Sequence, residues 1–200
     1  MSHRFALHDL LDPLPGYPEQ AQIEFLNLEL RKNFEDRWFW VEEASLFNVV
    51  SLTDFSRFHP APSWKFRLGG TTYRDQVCDN CFGFLTEGGI GLSKRFFTAI
   101  PTSMTLTLDG EASAAPKFRG PDFRFRYGPM ALVRLGIRSN LQFMVTARYR
   151  RPLIFAYSSN IESVARLRWG LLRNFALDLQ ARRYWRPNSW EGGLGLLLYY

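Results

Sequence analysis

Apolar and polar residues alternate one by one along much of this chain, most clearly in its second half. Leu141, Phe143, Val145, Ala147 and Tyr149 fall on one face of an extended segment, opposite Gln142, Met144, Thr146, Arg148 and Arg150. Ala131, Val133, Leu135 and Ile137 alternate with Leu132, Arg134, Gly136 and Arg138; Ala165, Leu167, Trp169 and Leu171 with Arg166, Arg168 and Gly170. Phe175, Leu177, Leu179 and Ala181 oppose Asp178, Gln180 and Arg182. Earlier, Met104, Leu106 and Leu108 oppose Ser103, Thr105, Thr107 and Asp109, and Trp64, Phe66 and Leu68 oppose Lys65, Arg67 and Gly69. A period of two is the signature of β-strands. No stretch of a dozen residues holds the i, i+3, i+4, i+7 pattern of a helix.

Gln20 to Arg31 alternates with a slip of phase. Ile23 and Phe25 share a face that Leu26, Leu28 and Leu30 continue, as one extra residue in a β-bulge would produce. Arg37 to Leu52 cannot be phased. Arg138-Ser139-Asn140 and Arg173-Asn174 read as tight turns. Gly110 to Tyr127, Pro152 to Ile161, His8 to Gln20 and Thr53 to Ser63 read as long loops. Short turns at one end and long loops at the other are the layout of outer-membrane barrels. About eleven segments can be marked; since bacterial single-chain barrels carry an even number, about twelve strands are expected, with ten as the alternative. No repeat or linker divides residues 1–200, which are expected to form a single domain.

Which solvent the apolar face meets is the deciding question. No run approaches the roughly 18–20 apolar residues of a membrane-spanning helix. A transmembrane β-barrel stays open, because alternation averages out to the near-neutral mean hydropathy of −0.20 seen here. The net charge is +6, and only Lys32, Lys65, Lys94 and Lys117 are lysines. Arginine pairs bidentately with carboxylates, which suits a paired lumen better than the Lys/Glu surface of a soluble sheet. At the C-terminus Trp190, Leu194, Leu196, Leu198 and Tyr200 share one face. A chain stopping on an aromatic after alternate apolar residues looks like the closing strand of an outer-membrane barrel, the signal read by the barrel-assembly machinery. A soluble edge of that composition would invite aggregation. Trp38, Trp40, Trp64, Trp169, Trp185 and Trp190 mostly sit near expected strand ends, as interfacial girdles require. Met1-Ser2-His3-Arg4 lacks an apolar signal-peptide core, so an exported form of this chain is expected to be a mature product or part of something longer.

The N-terminal third carries a more specific pattern. His8-Asp9-Leu10-Leu11-Asp12-Pro13, Gly16-Tyr17-Pro18, Ala21-Gln22-Ile23-Glu24-Phe25-Leu26 and Leu30-Arg31 resemble a proteobacterial family of uncharacterised exported proteins. Ser51-Leu52, Pro62-x-Trp64, Cys78-Asp79-Asn80-Cys81 and Gly88-Gly89-Ile90-Gly91 continue that resemblance. It implies a C-terminal barrel that follows a periplasmic domain similar to lipoprotein N-acyltransferase B. The cysteine and histidine of such a domain lie outside these residues, so the resemblance transfers no catalysis here.

Three constellations carry chemistry. Cys78 and Cys81 can close a small disulfide loop, which an exported protein favours; a zinc site would need two further ligands, and only His3, His8 and His59 are at hand. His8 and Asp9, with His59, are weak candidates for hydrolytic catalysis, against which Asp12-Pro13 reads as a turn and His8 and Asp9 as loop-backbone partners. The third is the polar face itself: Glu24, Glu29, Arg31, Lys65, Arg67, Asp109, Arg134, Arg138, Arg148, Arg166, Arg168, Asp178 and Arg182. It reads as a lumen charge network, either an anion-preferring constriction or a packed plug of ion pairs. Gly88-Gly89-x-Gly91 has no helix after it and is not a phosphate loop.

The expected protein is therefore an all-β, antiparallel up-and-down transmembrane β-barrel in a bacterial outer membrane. It would meet phospholipid and lipopolysaccharide and serve as an anchor or narrow pore for a periplasmic domain or partner. No cofactor, metal or specific nucleic acid is expected. An outer-membrane barrel enzyme (a hydrolase or acyltransferase acting on lipid or lipopolysaccharide) and a soluble lipocalin-like binder are the alternatives.

Overall fold

The computed structural model describes residues 2–11, 21–31, 40–58, 60–75, 78–116, 118, 122–154, 159–172, 175–185 and 188–198. These hold eleven strands and no helix. In chain order they are β1 (Ser2–His8), β2 (Ala21–Arg31), β3 (Trp40–Ser51), β4 (Ser63–Asp75), β5 (Cys78–Phe96), β6 (Thr102–Ala114), β7 (Phe123–Arg138), β8 (Leu141–Pro152), β9 (Asn160–Leu172), β10 (Phe175–Trp185) and β11 (Asn188–Leu198). Each pairs antiparallel with the next, in one sheet ordered β1 to β11. The count lies between the expected ten and twelve. Taking odd strands to run upward, β1 and β11 are the two edges of the sheet and run in the same direction.

The sheet curls until its distant strands face one another. Arg74 of β4 reaches Glu191 of β11 at 3.5 Å, and Arg182 of β10 reaches Glu42 of β3 at 3.6 Å. Neither pair sits on neighbouring strands, so their side chains meet across the concave side of a half-barrel.

The polarity of that half-barrel is inverted relative to a globular core. Along β6, Thr105, Thr107, Asp109 and Glu111 are 1–6% exposed, whereas Met104, Leu106 and Leu108 between them are 44–61% exposed. The same inversion holds on β5, where Glu87 is buried while Ile90 and Leu92 are exposed. Polar residues face inward and aliphatic residues outward.

Strand irregularities lie where the alternation falters. Leu26 has a φ of 51°, and it is here that the inward face passes from Glu24 to Asn27. β3 resists phasing because its buried residues, Glu42 and Ser45, are three apart. Its register shifts opposite Glu29/Leu30 on one side and between Ser45 and Phe47 on the other. The long loop expected over Gly110–Tyr127 is a correction: β6 continues to Ala114 and β7 begins at Phe123. The segregation of short and long connections also fails. The upper end carries turn 139–140 but also the long links 9–20 and 52–62, and the lower end carries the two-residue links 76–77 and 186–187.

Candidate functional site: a paired-charge interior

The interior is built from residues that strand alternation turns inward. Lys65 of β4 donates to Glu87 of β5 at 2.6 Å and lies 2.5 Å from Asp109 of β6. Arg148 and Arg150 of β8 each reach Glu87 at 3.3 Å. Arg150 also meets Glu111 at 3.1 Å, and Arg126 of β7 donates to the same carboxylate through Nε at 3.1 Å. From Arg150 the chain of pairs continues through Glu162 of β9 (3.6 Å) to Arg182 of β10 (3.4 Å), on to Glu42, and then to Arg74 and Glu191. Among the described residues these pairs link Lys65, Arg74, Arg126, Arg148, Arg150 and Arg182 with Glu42, Glu87, Asp109, Glu111, Glu162 and Glu191. Arg67 pairs with Glu43 at 2.9 Å beside it. Buried charges cost several kcal/mol each unless paired, and each of these cations meets at least one carboxylate.

A second cluster lies higher. Arg168, 1% exposed, donates to Asp178 at 2.6 Å and to Asp9 at 2.8 Å, and Arg166 reaches Asp178 at 3.0 Å. Asp9 leads the chain inward after β1. Its Oδ1 accepts from the Leu11 backbone N–H at 3.2 Å, and Arg134 donates to the Leu10 carbonyl at 2.8 Å. Leu10 and Leu11 are buried against Leu52, Met130, Leu132 and Met144. This is an apolar cluster set on the otherwise polar concave side of the sheet.

The lower end has a counterpart. Cys78 and Cys81 are disulfide-bonded, with Cα atoms 5.8 Å apart. Asn80 between them takes the left-handed conformation (φ 63°) that asparagine tolerates. The disulfide packs with Tyr73, Leu85, Ala115 and Phe118, and Arg124 lies 4.2 Å from the Tyr73 ring and 4.4 Å from that of Phe118. The concave side also holds an open polar cavity of about 790 Å³ that every strand from β2 to β11 helps to line, with Asn27, Asn48, Arg67, Glu111, Glu162 and Arg182 among its residues.

The placements of the remaining sequence candidates divide clearly. Glu24 is buried and accepts from Asn48 at 2.9 Å; Glu29 lines the cavity. Arg138 is a correction, for it is exposed at the upper turn and lies outside the network. Arg31 and Leu198 are placed only as strand residues, and His8 only as the last residue of β1. His59, Trp38 and Tyr200 lie outside the described residues. Trp190, Leu194 and Leu196 are exposed on the outward face of β11. Among the described residues no group of His, Cys, Asp or Glu is arranged to hold a metal ion.

Several members of the network escaped the sequence reading. Glu111 and Arg126 fall in the segment that reads as a loop, and Glu42 and its neighbour Glu43 in the strand that cannot be phased. Arg74 and Glu162 lie outside the alternating segments, Glu87 sits in a stretch that shows no alternation, and Glu191 lies within the closing strand on the face opposite its apolar residues. The usable signal was charge balance, since the candidate face held more cations than carboxylates and required further acids.

Together these features define a class: an up-and-down antiparallel half-barrel with a paired-charge interior and an apolar exterior. The chain belongs to the family described as a domain of unknown function (DUF7840), whose model matches residues 1–200. No curated protein and no solved structure matches it.

Proposed function

We propose that this chain is a transmembrane β-barrel of the outer-membrane type, acting as an anchor with a filled lumen. The observation that carries the reading is the inverted polarity of the strands. Leu106, Leu108, Ile90, Leu92, Leu194 and Leu196 stand outward and exposed while Asp109, Glu111 and Glu87 are buried. In water this arrangement gives up roughly 1.5–3 kcal/mol for each large apolar side chain left unburied; in a bilayer it is the arrangement that hydrocarbon selects. Aromatic residues flank the aliphatic band. Phe84, Phe123, Phe125, Trp185 and Trp190 lie toward the lower end, and Trp64, Phe96 and Trp169 toward the upper. Such belts suit membrane–water interfaces.

The obstruction of the interior by apolar clusters and paired charges favours an anchor over a pore. Two clusters of apolar side chains obstruct the ends, and an ion passing between them would have to displace paired charges. The partners of this reading are outer-membrane lipid and lipopolysaccharide, the barrel-assembly machinery, and a periplasmic domain of the kind the N-terminal pattern implies. A spanning sheet leaves no backbone group unpaired in hydrocarbon, so β1 and β11 close against each other or against a further strand.

The test is behaviour in and out of detergent. The chain should require detergent to stay dispersed, and boiling should shift its electrophoretic mobility as an intact barrel unfolds. A chain that is monodisperse in plain buffer would overturn the membrane reading.

A further inference from the structure

The outward face carries one arginine whose surroundings differ from those of the inward set. Arg148, Arg150, Arg166, Arg168 and Arg182 each meet a carboxylate. Arg183, one residue past Arg182, points the other way, and among the described residues it has no carboxylate partner. Its Nε is enclosed without a hydrogen-bond partner, and one terminal nitrogen lies 3.5 Å from the neutral Asn188 Oδ1. Register explains the enclosure: Arg183 pairs directly across from Trp190 of β11, and Trp185 stands two residues along the same face of β10. The guanidinium carbon lies 4.0 Å from the Trp185 ring and 4.8 Å from the Trp190 ring. Trp185 is itself held by a hydrogen bond from Nε1 to Ser163 Oγ at 3.2 Å. Both indoles are exposed, and the group sits beside the lower hairpin end, next to link 186–187.

We propose that Arg183, gripped between Trp185 and Trp190, is a binding site for the phosphate of an anionic lipid headgroup. The inference rests on the membrane reading above. Cation–π contacts with two rings hold the guanidinium in place while leaving its charge unneutralised. An uncompensated cation among exposed indoles at the edge of an apolar band is costly unless an anion is supplied from outside the protein. At that height on a barrel the available anion is a headgroup phosphate, which guanidinium binds through paired N–H donors. The indoles lie alongside, at the depth where acyl chains give way to headgroups.

The experiment uses the full chain in detergent micelles, titrated separately with phosphatidylglycerol and phosphatidylcholine. Bound lipid is counted by native mass spectrometry, and heat-shifted mobility verifies folding of each variant. Wild type should prefer phosphatidylglycerol by about fivefold, the contribution of one arginine near an anionic surface. Arg183→Ala should lose the preference and Arg183→Lys should keep part of it. Arg151→Ala, at an exposed outward arginine on β8 away from the indoles, should bind as wild type does. An unchanged preference in folded Arg183→Ala would overturn the site while leaving the barrel standing. A wild-type chain that is dispersed without detergent and binds neither lipid would overturn the barrel reading and the site with it.

Discussion

Glu87 meets three cations of the interior, Lys65, Arg148 and Arg150, together. Removing it leaves Lys65 and Arg148 to share Asp109 and Arg150 to rely on Glu111 and Glu162, so Glu87→Ala should cost about 3 kcal/mol, the lower end of what breaking a buried pair costs. Urea unfolding in micelles measures this, and a loss under about 1 kcal/mol would mean that water, not Glu87, neutralises those cations. Asp9 and Arg168 make a second residue-scale case, because their contact ties the segment after β1 to the far side of the sheet. Asp9→Asn keeps the size of the side chain but removes its charge, and it should loosen Leu10 and Leu11. Faster hydrogen exchange at the Leu11 amide, with β6 unchanged, is the expected result. These contacts were only half legible in the sequence. The inward arginines of β8–β10 follow directly from alternation. Their acids follow only in part: Asp178 alternates on the strand next to Arg166 and Arg168, whereas Glu87, Glu111 and Glu42 come from strands distant in the chain.

At the scale of single strands, glycine placement separates sites where a side chain fits from sites where it cannot. A Cβ at Gly91 of β5 would collide with the Leu106 carbonyl and the Thr107 backbone, and one at Gly128 of β7 with the Tyr149 carbonyl. At Gly110 and Gly192 nothing lies within 4 Å. Gly91→Ala should therefore lower the unfolding midpoint in micelles and Gly192→Ala should leave it nearly unchanged, a contrast that composition alone does not give. Strand scale also shows what the pattern conveyed and what it hid. β8 to β10 were readable because Leu, Val and Phe alternate with Arg and Gln at full contrast. The stretch from Gly110 to Ala114 was not, because its outward residues are Ala112 and Ala114, too small to register against Glu111 and Ser113. β3 was unreadable because two register shifts fall within one strand.

For the whole molecule, the sequence conveyed the period but left the strand count and the closure open. Eleven antiparallel strands put β1 and β11 parallel at the two edges, so a strand filling the space between them would run antiparallel to both. The filled interior predicts that the chain reconstituted in planar bilayers carries no steady open-channel current; a stable ohmic conductance would contradict the plug formed by Leu10, Leu11 and the lower aromatic cluster. The central claim is that the aliphatic faces look out at lipid. It is tested most directly by spin labels placed one at a time along β6, from Met104 to Asp109, in lipid vesicles. Labels at 104, 106 and 108 should collide readily with oxygen dissolved in hydrocarbon and poorly with a water-soluble nickel chelate, while 105, 107 and 109 should show little collision with oxygen. Nickel collisions dominating at 104, 106 and 108 would place water, not lipid, against the leucines and contradict the account.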